Sequence, residues 1–340
     1  FARLQGDQIY NLTLTRVATK ALGDPSAKKA IGIGRVKTPT LGIVCARELE
    51  IANFKPQDYF DVTALVEAKD AAGKPAKVLL STARPDDNRI TLRSEADAIA
   101  NAARLFSGPL AVETKRQNVK PPRPFDLPSL QIAAGELKIS PKRTAEIAQA
   151  LYETYKITTY PRAESRYLPE ALVNDAKRVF GDVARLPFLK GLITTPPLTR
   201  VGKEYTFSDK GLNGASHHAI IPNPNCPNGV GTVYGSLTGD EKAVFELIAR
   251  QFAAALMDDL IQDVTTIKAQ VKIGAAHEQF GASGTVMIYP GWRAVLPKLK
   301  DDEALPSIKD QEIGHAIETE VIARTTKPPP RYSEPGLIKA

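Results

Sequence analysis

The ten residues Ile157-Thr158-Thr159-Tyr160-Pro161-Arg162-Ala163-Glu164-Ser165-Arg166 hold the most chemically suggestive pattern in the chain. Tyr160 stands two residues before Arg162. Pro161 between them has no backbone N–H and biases its predecessor away from helix, so an extended segment is expected. A phenol held in this way can attack a phosphodiester and keep the strand covalently bound, provided nearby cations favour the phenolate and the pentavalent transition state. Arg162 supplies a permanent, fork-shaped phosphate partner. The spacing by itself fits an ordinary half-buried tyrosine equally well, since the chain has ten.

A second pattern, Ser216-His217-His218-Ala219-Ile220-Ile221-Pro222, sets two imidazoles side by side. In extended backbone they point to opposite faces, a poor arrangement for a metal, but one of them can donate to a phosphate in its titration range. One packed ring and one exposed ring would account for the pair without any chemistry. In a third, Gly32-Ile33-Gly34-Arg35-Val36-Lys37-Thr38-Pro39-Thr40, glycines lead into a helix start with Arg35, Lys37 and Thr38 as donors, which suits a backbone phosphate. The Gly-Lys-Ser/Thr order and the preceding strand of a P-loop are absent.

The elements that must carry these residues follow from periodicity. Residues 1–30 read as helical, with Gly23-Asp24-Pro25 as the stop, and a second helix is expected from Thr38-Pro39 to about Asn53. From Tyr59 the period changes to two, with Ala71-Ala72-Gly73 as a hairpin turn before Val78-Leu79-Leu80; alternation returns at Ile267, Ala269, Val271 and Ile273. Two β-rich stretches separated by mostly helical residues indicate one β domain interrupted by an insertion, which opens at the stiff Pro121-Pro122-Arg123-Pro124. Within the insertion, Ser140-Pro141 starts one helix. Thr238-Gly239-Asp240-Glu241 reads as a capping box ahead of Val244, Ile248, Phe252 and Leu256. Lys327-Pro328-Pro329-Pro330 marks a last boundary.

Composition narrows the class. The 340 residues are 43% hydrophobic and 24% charged, the balance of a folded chain. No apolar run is long enough for a membrane-spanning helix, so no membrane association is expected. Cys45 and Cys226 are the only cysteines, which excludes a disulfide framework and a four-cysteine zinc site and makes a cytoplasmic location the expectation. Net charge is +7, and residues 115–200 alone carry fifteen basic and eight acidic groups. Such concentration is what a polyanion-binding surface needs, although a solvated basic face has the same composition.

Five blocks taken in order resemble the type IA DNA topoisomerases, within them the topoisomerase III-like branch. They are Ala2-Arg3 with Asp7 and Asn11-Leu12-Thr13; Gly34 to Leu41; Ile157 to Leu168; His217 to Pro222; and Lys327 to Leu337. The resemblance covers essentially the whole chain. It implies a multidomain α+β toroid: a helical base (1–58), a β-rich arch (59–117 and 259–320), a helical gate (118–258) and a return into the base (321–340). It implies that Tyr160 becomes linked to the 5′ phosphate of one DNA strand, with Arg162 and His217 assisting, and that strand passage and religation follow without ATP. Arg3, Asp7, Arg35, Lys37, Thr38, Arg166 and His218 would then contact single-stranded DNA, and the protein would be a monomer associated with the bacterial nucleoid. The family's Mg2+ ligands lie in an N-terminal Toprim domain. The chain opens Phe1-Ala2-Arg3 and contains no Asp-X-Asp, so the expectation is a fragment without that domain, binding no metal and inactive alone. Three departures stand out: Ala163 where Thr or Ser is usual, Glu164 for Asp, and Lys37 for a frequent Gln. Ala163 motivates the alternative of a single-stranded DNA-binding module of a mobile-element protein that has lost catalysis. A nickase reading needs a His-hydrophobe-His motif, which His217-His218 does not provide.

Overall fold

A computed structural model describes the chain apart from residues 1, 25, 27–28 and 298–303 and the side chain of Arg3. The described chain divides into two compact units, residues 1–56 with 327–340, and residues 57–326. The first unit is helical. Helix α1 (Ala2–Asp7) passes through a π-helical turn (Gln8–Thr13) into α2 (Leu14–Leu22), and α3 (Lys37–Ala52) follows. Thr15 and Thr19, one turn apart on α2, zip the intervening extended segment to that helix. The Thr15 hydroxyl accepts from the Ile33 N–H at 2.9 Å, and the Thr19 hydroxyl accepts from the Ile31 N–H at 2.9 Å. A short C-terminal helix, Glu334–Lys339, completes the unit, and Arg331 clamps Glu48 of α3 through a forked ion pair.

The second unit has two cores. Strands β1 (Asp58–Lys69) and β2 (Pro75–Thr82) form the expected hairpin through Asp70–Lys74. Helix α4 (Arg93–Arg104) then covers the sheet with Ala96, Ile99, Ala100 and Ala103, all buried at helical spacing. This helix lies inside a stretch expected to be β-rich. Its buried face is mostly alanine, which leaves little hydrophobic periodicity to read. Strands β3 (Ser107–Pro109) and β4 (Ala111–Val119) follow.

The helical core comprises α5 (Leu127–Glu136), α6 (Pro141–Glu153), α7 (Val173–Ala184), the single turn α8 (Asp209–Leu212), α9 (Val230–Ser236) and α10 (Gly239–Ala255). Helix α10 is its axis: Val244, Phe245, Ile248, Ala249, Phe252 and Ala253 are all fully buried. Ser140 caps α6 by accepting from the Arg143 N–H, as expected. The Thr238 capping box does not form: Thr238 makes no side-chain cap bond, and Glu241 instead accepts from the Tyr155 hydroxyl at 2.8 Å. A true capping box sits at Asp126/Ser129, at the head of α5.

Strands β5 (Leu260–Ile273), β6 (Ala276–Tyr289) and β7 (Ile313–Thr325) close one seven-stranded antiparallel sheet in the order β3-β7-β1-β2-β6-β5-β4. Strand β7 crosses position 320, where the arch was expected to end. Only Leu110 separates β3 from β4, yet they lie at opposite edges of the sheet. The sheet therefore has to curl on itself, around a second core of Val62, Val66, Leu80, Ile267 and Phe280. No described helix is long and apolar enough to cross a membrane.

Candidate active site

Backbone pairing positions the reactive side chains. The chain from Ile157 runs antiparallel to Ala219–Asn223. The Thr159 N–H donates to Ile221 O at 2.9 Å, the Ile221 N–H donates to the Thr159 hydroxyl at 3.0 Å, and the Asn223 N–H donates to Ile157 O at 2.8 Å. This ladder brings the two sequence motifs together. The Tyr160 and His217 rings meet at 4.3 Å between centroids, tilted by 45°. Tyr152, from the last turn of α6, meets the other side of Tyr160 edge-on at 5.4 Å and 82°. An edge-to-face contact of this kind fixes the phenol ring without using its oxygen. Tyr160 is half-buried, His217 is exposed, and the phenol hydroxyl makes no hydrogen bond among the described residues.

Beyond Tyr160 the burial alternates. Pro161, Ala163 and Ser165 are buried, while Arg162 and Glu164 are exposed. Alternation is the mark of extended backbone, so Arg162 projects away from the core that takes Ala163. It has no ion pair among the described residues, which leaves its guanidinium free for an anion. Arg166 has a different task from the expected phosphate contact. Its Nε donates to Pro124 O and its Nη2 to Arg123 O, both at 2.9 Å, and burial lowers its pKa from the ordinary arginine value. His218 is half-buried. Its Nδ1 lies 2.8 Å from Ala219 O, and burial pushes its pKa below the ordinary value.

The other expected contacts belong to the first unit, where they form a separate cluster. Arg35 holds Asp7 in an ion pair, with Nη2 to Oδ2 at 3.1 Å. The Thr38 hydroxyl accepts from the Gly34 N–H at 3.1 Å, and Lys37 Nζ lies over Gly32 at the start of α3. The expected helix start follows the glycines, but Arg35 is committed to Asp7 and the Thr38 hydroxyl accepts rather than donates. The Arg3 side chain lies outside the described residues. Sequence reading missed Tyr152, eight residues before Tyr160, because nothing in its spacing distinguishes it from a surface tyrosine. It also missed the Thr15/Thr19 zipper, which a Thr-x-x-x-Thr step on one helix face signals.

Among the described residues no three His, Cys, Asp or Glu side chains converge.

The site thus combines a half-buried, ring-clamped tyrosine with an exposed histidine and an arginine that has no ion pair among the described residues, groups whose chemistry suits a phosphate. A family model described as DNA topoisomerase matches residues 1–340, and the chain belongs to that family, in its type IA branch. It is 28% identical to the DNA topoisomerase 3 of Pasteurella multocida over 100% of this chain and 54% of that protein. It is 30% identical to the DNA topoisomerase 3 of Salmonella typhimurium over 100% of this chain and 52% of that protein. The fold matches full-length topoisomerase I from Thermotoga maritima with a TM-score of 0.67 and 22% identity, over 98% of this chain and 51% of that one. The chain spans about half the length of the curated relatives it matches.

Proposed function

We propose that the chain carries the strand-cleaving and strand-passing part of a type IA topoisomerase, with Tyr160 as nucleophile. The phenol oxygen bonds to the phosphorus, the bond to the 3′ oxygen breaks, and a 5′-phosphotyrosine holds one end. The phenol proton leaves to solvent or a base, and the released 3′ oxygen takes up a proton. Religation reverses each step, so no ATP is consumed. Arg162 stabilises the equatorial oxygens, and His217, against the face of the ring, donates to the phosphate held on the phenol oxygen. The observation that carries this reading is the 4.3 Å packing of Tyr160 on His217 beside an exposed, unpaired Arg162.

The substrate is single-stranded DNA, with the cluster of Arg35, Lys37 and Thr38 as a second phosphate contact. The toroidal base, arch and gate arrangement, a monomeric state and a cytoplasmic, nucleoid-associated location complete the proposal. Mg2+ and an acid–base group would come from a Toprim domain, so these 340 residues alone should bind a strand without relaxing supercoils. Ala163 is buried on the opposite side from Arg162, which weighs against the reading of a module that has lost catalysis.

The test supplies a Toprim domain from a relative, fused or in trans, with Mg2+ and a 3′-labelled oligonucleotide. A covalent adduct that survives denaturation and vanishes in Tyr160→Phe is expected. An adduct that persists in Tyr160→Phe, or relaxation by the chain alone, would show that the machinery lies elsewhere.

A further inference from the structure

The curled sheet fails to close, and the failure has a specific place. Strand β4 pairs with β5 only from Leu260 to Lys268, because at Leu110 the preceding chain leaves for the other side and β3 pairs with β7. The last five residues of β5, Ala269–Ile273, pair with β6 on one side, while among the described residues no strand pairs with their other edge. Strand β3 is likewise paired only with β7. Between these two unpaired edges lies a cleft of about 630 Å3, with Leu105, Phe106, Ser107 and Gly108 on one side and Lys268 and Lys272 on the other. Leu105 is 84% exposed, an unusual state for a leucine on the flank of a packed helix.

The free edge of β5 is roughly 16 Å long at the rise of a β-strand. It alternates strictly. Ala269 and Val271 are buried, whereas Lys268, Gln270 and Lys272 are exposed on one face, with the two lysines roughly 13 Å apart. Among the described residues neither lysine has an ion pair, and no carboxylate among them lines the cleft. An incoming antiparallel strand would pair with Ala269–Ile273 and set a side chain directly across from Lys272, where opposite charges attract; Lys268, itself opposite Ala111, lies just past the end of that pairing. The incoming backbone would complete the open ladder, as in peptide recognition by strand addition.

From this juxtaposition we infer that the cleft is a docking site for an extended peptide of a protein partner, one with acidic residues at two positions four apart and apolar residues between them. One acidic residue lies across from Lys272, and the other, just past the end of the pairing, reaches the Lys268 side chain beside Ala111. The alternate apolar residues lie over Leu105 and Phe106. Single-stranded DNA is the less suited occupant, since two cations over an apolar floor offer a backbone few phosphate contacts and leave the strand edges unpaired.

The experiment uses the whole 340-residue chain and a fluorescein-labelled synthetic peptide, Ser-Asp-Val-Thr-Val-Glu-Ser, followed by anisotropy at low salt. Saturable binding is expected. It should weaken at least tenfold in Lys268→Glu/Lys272→Glu, return when the peptide acids are exchanged for lysines, and fall away when the central Thr is replaced by Pro. Both lysines are exposed, so the fold should tolerate the change. Slowed amide exchange at Ala269–Ile273 on adding peptide supports strand pairing independently of the variants. Binding that is equal for the Pro peptide, or indifferent to the charge swap, overturns the proposal. So does a result in which the acidic peptide fails to bind while the double variant loses affinity for an oligonucleotide, which would assign the cleft to DNA. Absence of both effects would leave the lysines as edge protection only and overturns it equally.

Discussion

The environments of the tyrosines separate Tyr160, the proposed nucleophile, from the others more sharply than their spacing does. Tyr234 is buried and donates to Glu246 at 2.7 Å, and its phenol pKa is pushed up to about 12, so it stays neutral. Tyr155 is likewise pushed up by Glu241. Tyr160 has no acid partner; its neighbours are an imidazole and an edge-on ring. In the adduct assay, His217→Phe keeps an aromatic face but removes the N–H donor, and should slow cleavage by roughly 100-fold or more. Strand affinity should change less than about threefold, since uniform binding is a separate contribution; a proportionate loss of affinity would make His217 a binding group instead. His218 leads to a different prediction. Its folded pKa lies below the ordinary 6.5, because burial disfavours the charged ring. The unfolded chain therefore binds more protons than the folded one as pH falls through 6.5. That contribution is complete above 6.5 and is lost progressively towards the folded value. Urea midpoints measured at pH 7.5 and 5.5 should fall less in His218→Gln than in the parent chain. Identical falls would remove His218 from the account.

At the scale of elements, the junction between the two cores of the larger unit depends on a single turn after β6. Gly291 has φ of +46°, and a Cβ there would come within 2.6 Å of Asp258 O and closer still to Asp259 O. The turn it permits lets the Trp292 N–H donate to Asp258 O at 2.9 Å and the indole N–H to Val119 O at 2.8 Å. Gly291→Ala meets both strain and backbone overlap, and should cost about 3 kcal/mol, measured by urea unfolding. A loss under about 0.5 kcal/mol would mean that the turn relaxes freely. Nothing in the sequence marked this glycine. The elements that were legible are those whose information is local. The apolar series of α10, the Ser140-Pro141 start of α6 and the β1–β2 hairpin each sit within a few residues of their signal. Tyr160 and His217 were legible as motifs, but their contact depends on a ladder between segments about sixty residues apart. The false capping box at Thr238 shows the same limit, since Tyr155 competes for Glu241 from 86 residues away. Sheet order and the break at Leu110 depend on such long-range pairing throughout.

For the molecule as a whole, the excess charge matters only where it is not already neutralised. Arg116 is committed to Asp263, Arg324 to Asp61, Arg200 to Asp259 and Lys120 to Glu204. Arg116, Lys120 and Arg200 lie in the basic stretch 115–200, yet in the same stretch Lys138, Lys142, Lys156, Arg162, Lys177 and Lys190 are exposed and carry no ion pair among the described residues. These six cations are therefore the ones best placed to release counterions from a nucleic acid. If about four of them engage a single strand, log affinity should fall against log salt with a slope of about −3. Raising salt from 50 to 200 mM should then weaken binding roughly 60-fold, whatever the base sequence. The measurement is the anisotropy of a labelled oligonucleotide of about twenty bases, long enough to span such a surface. Lys156, four residues before Tyr160, should account for close to one unit of slope, so Lys156→Ala should flatten the line. Arg166→Lys should leave the slope unchanged, because that guanidinium is already bound to the carbonyls of Arg123 and Pro124. A slope shallower than about −1, or a flattening by Arg166→Lys equal to that of Lys156→Ala, would mean that the strand does not lie along these cations.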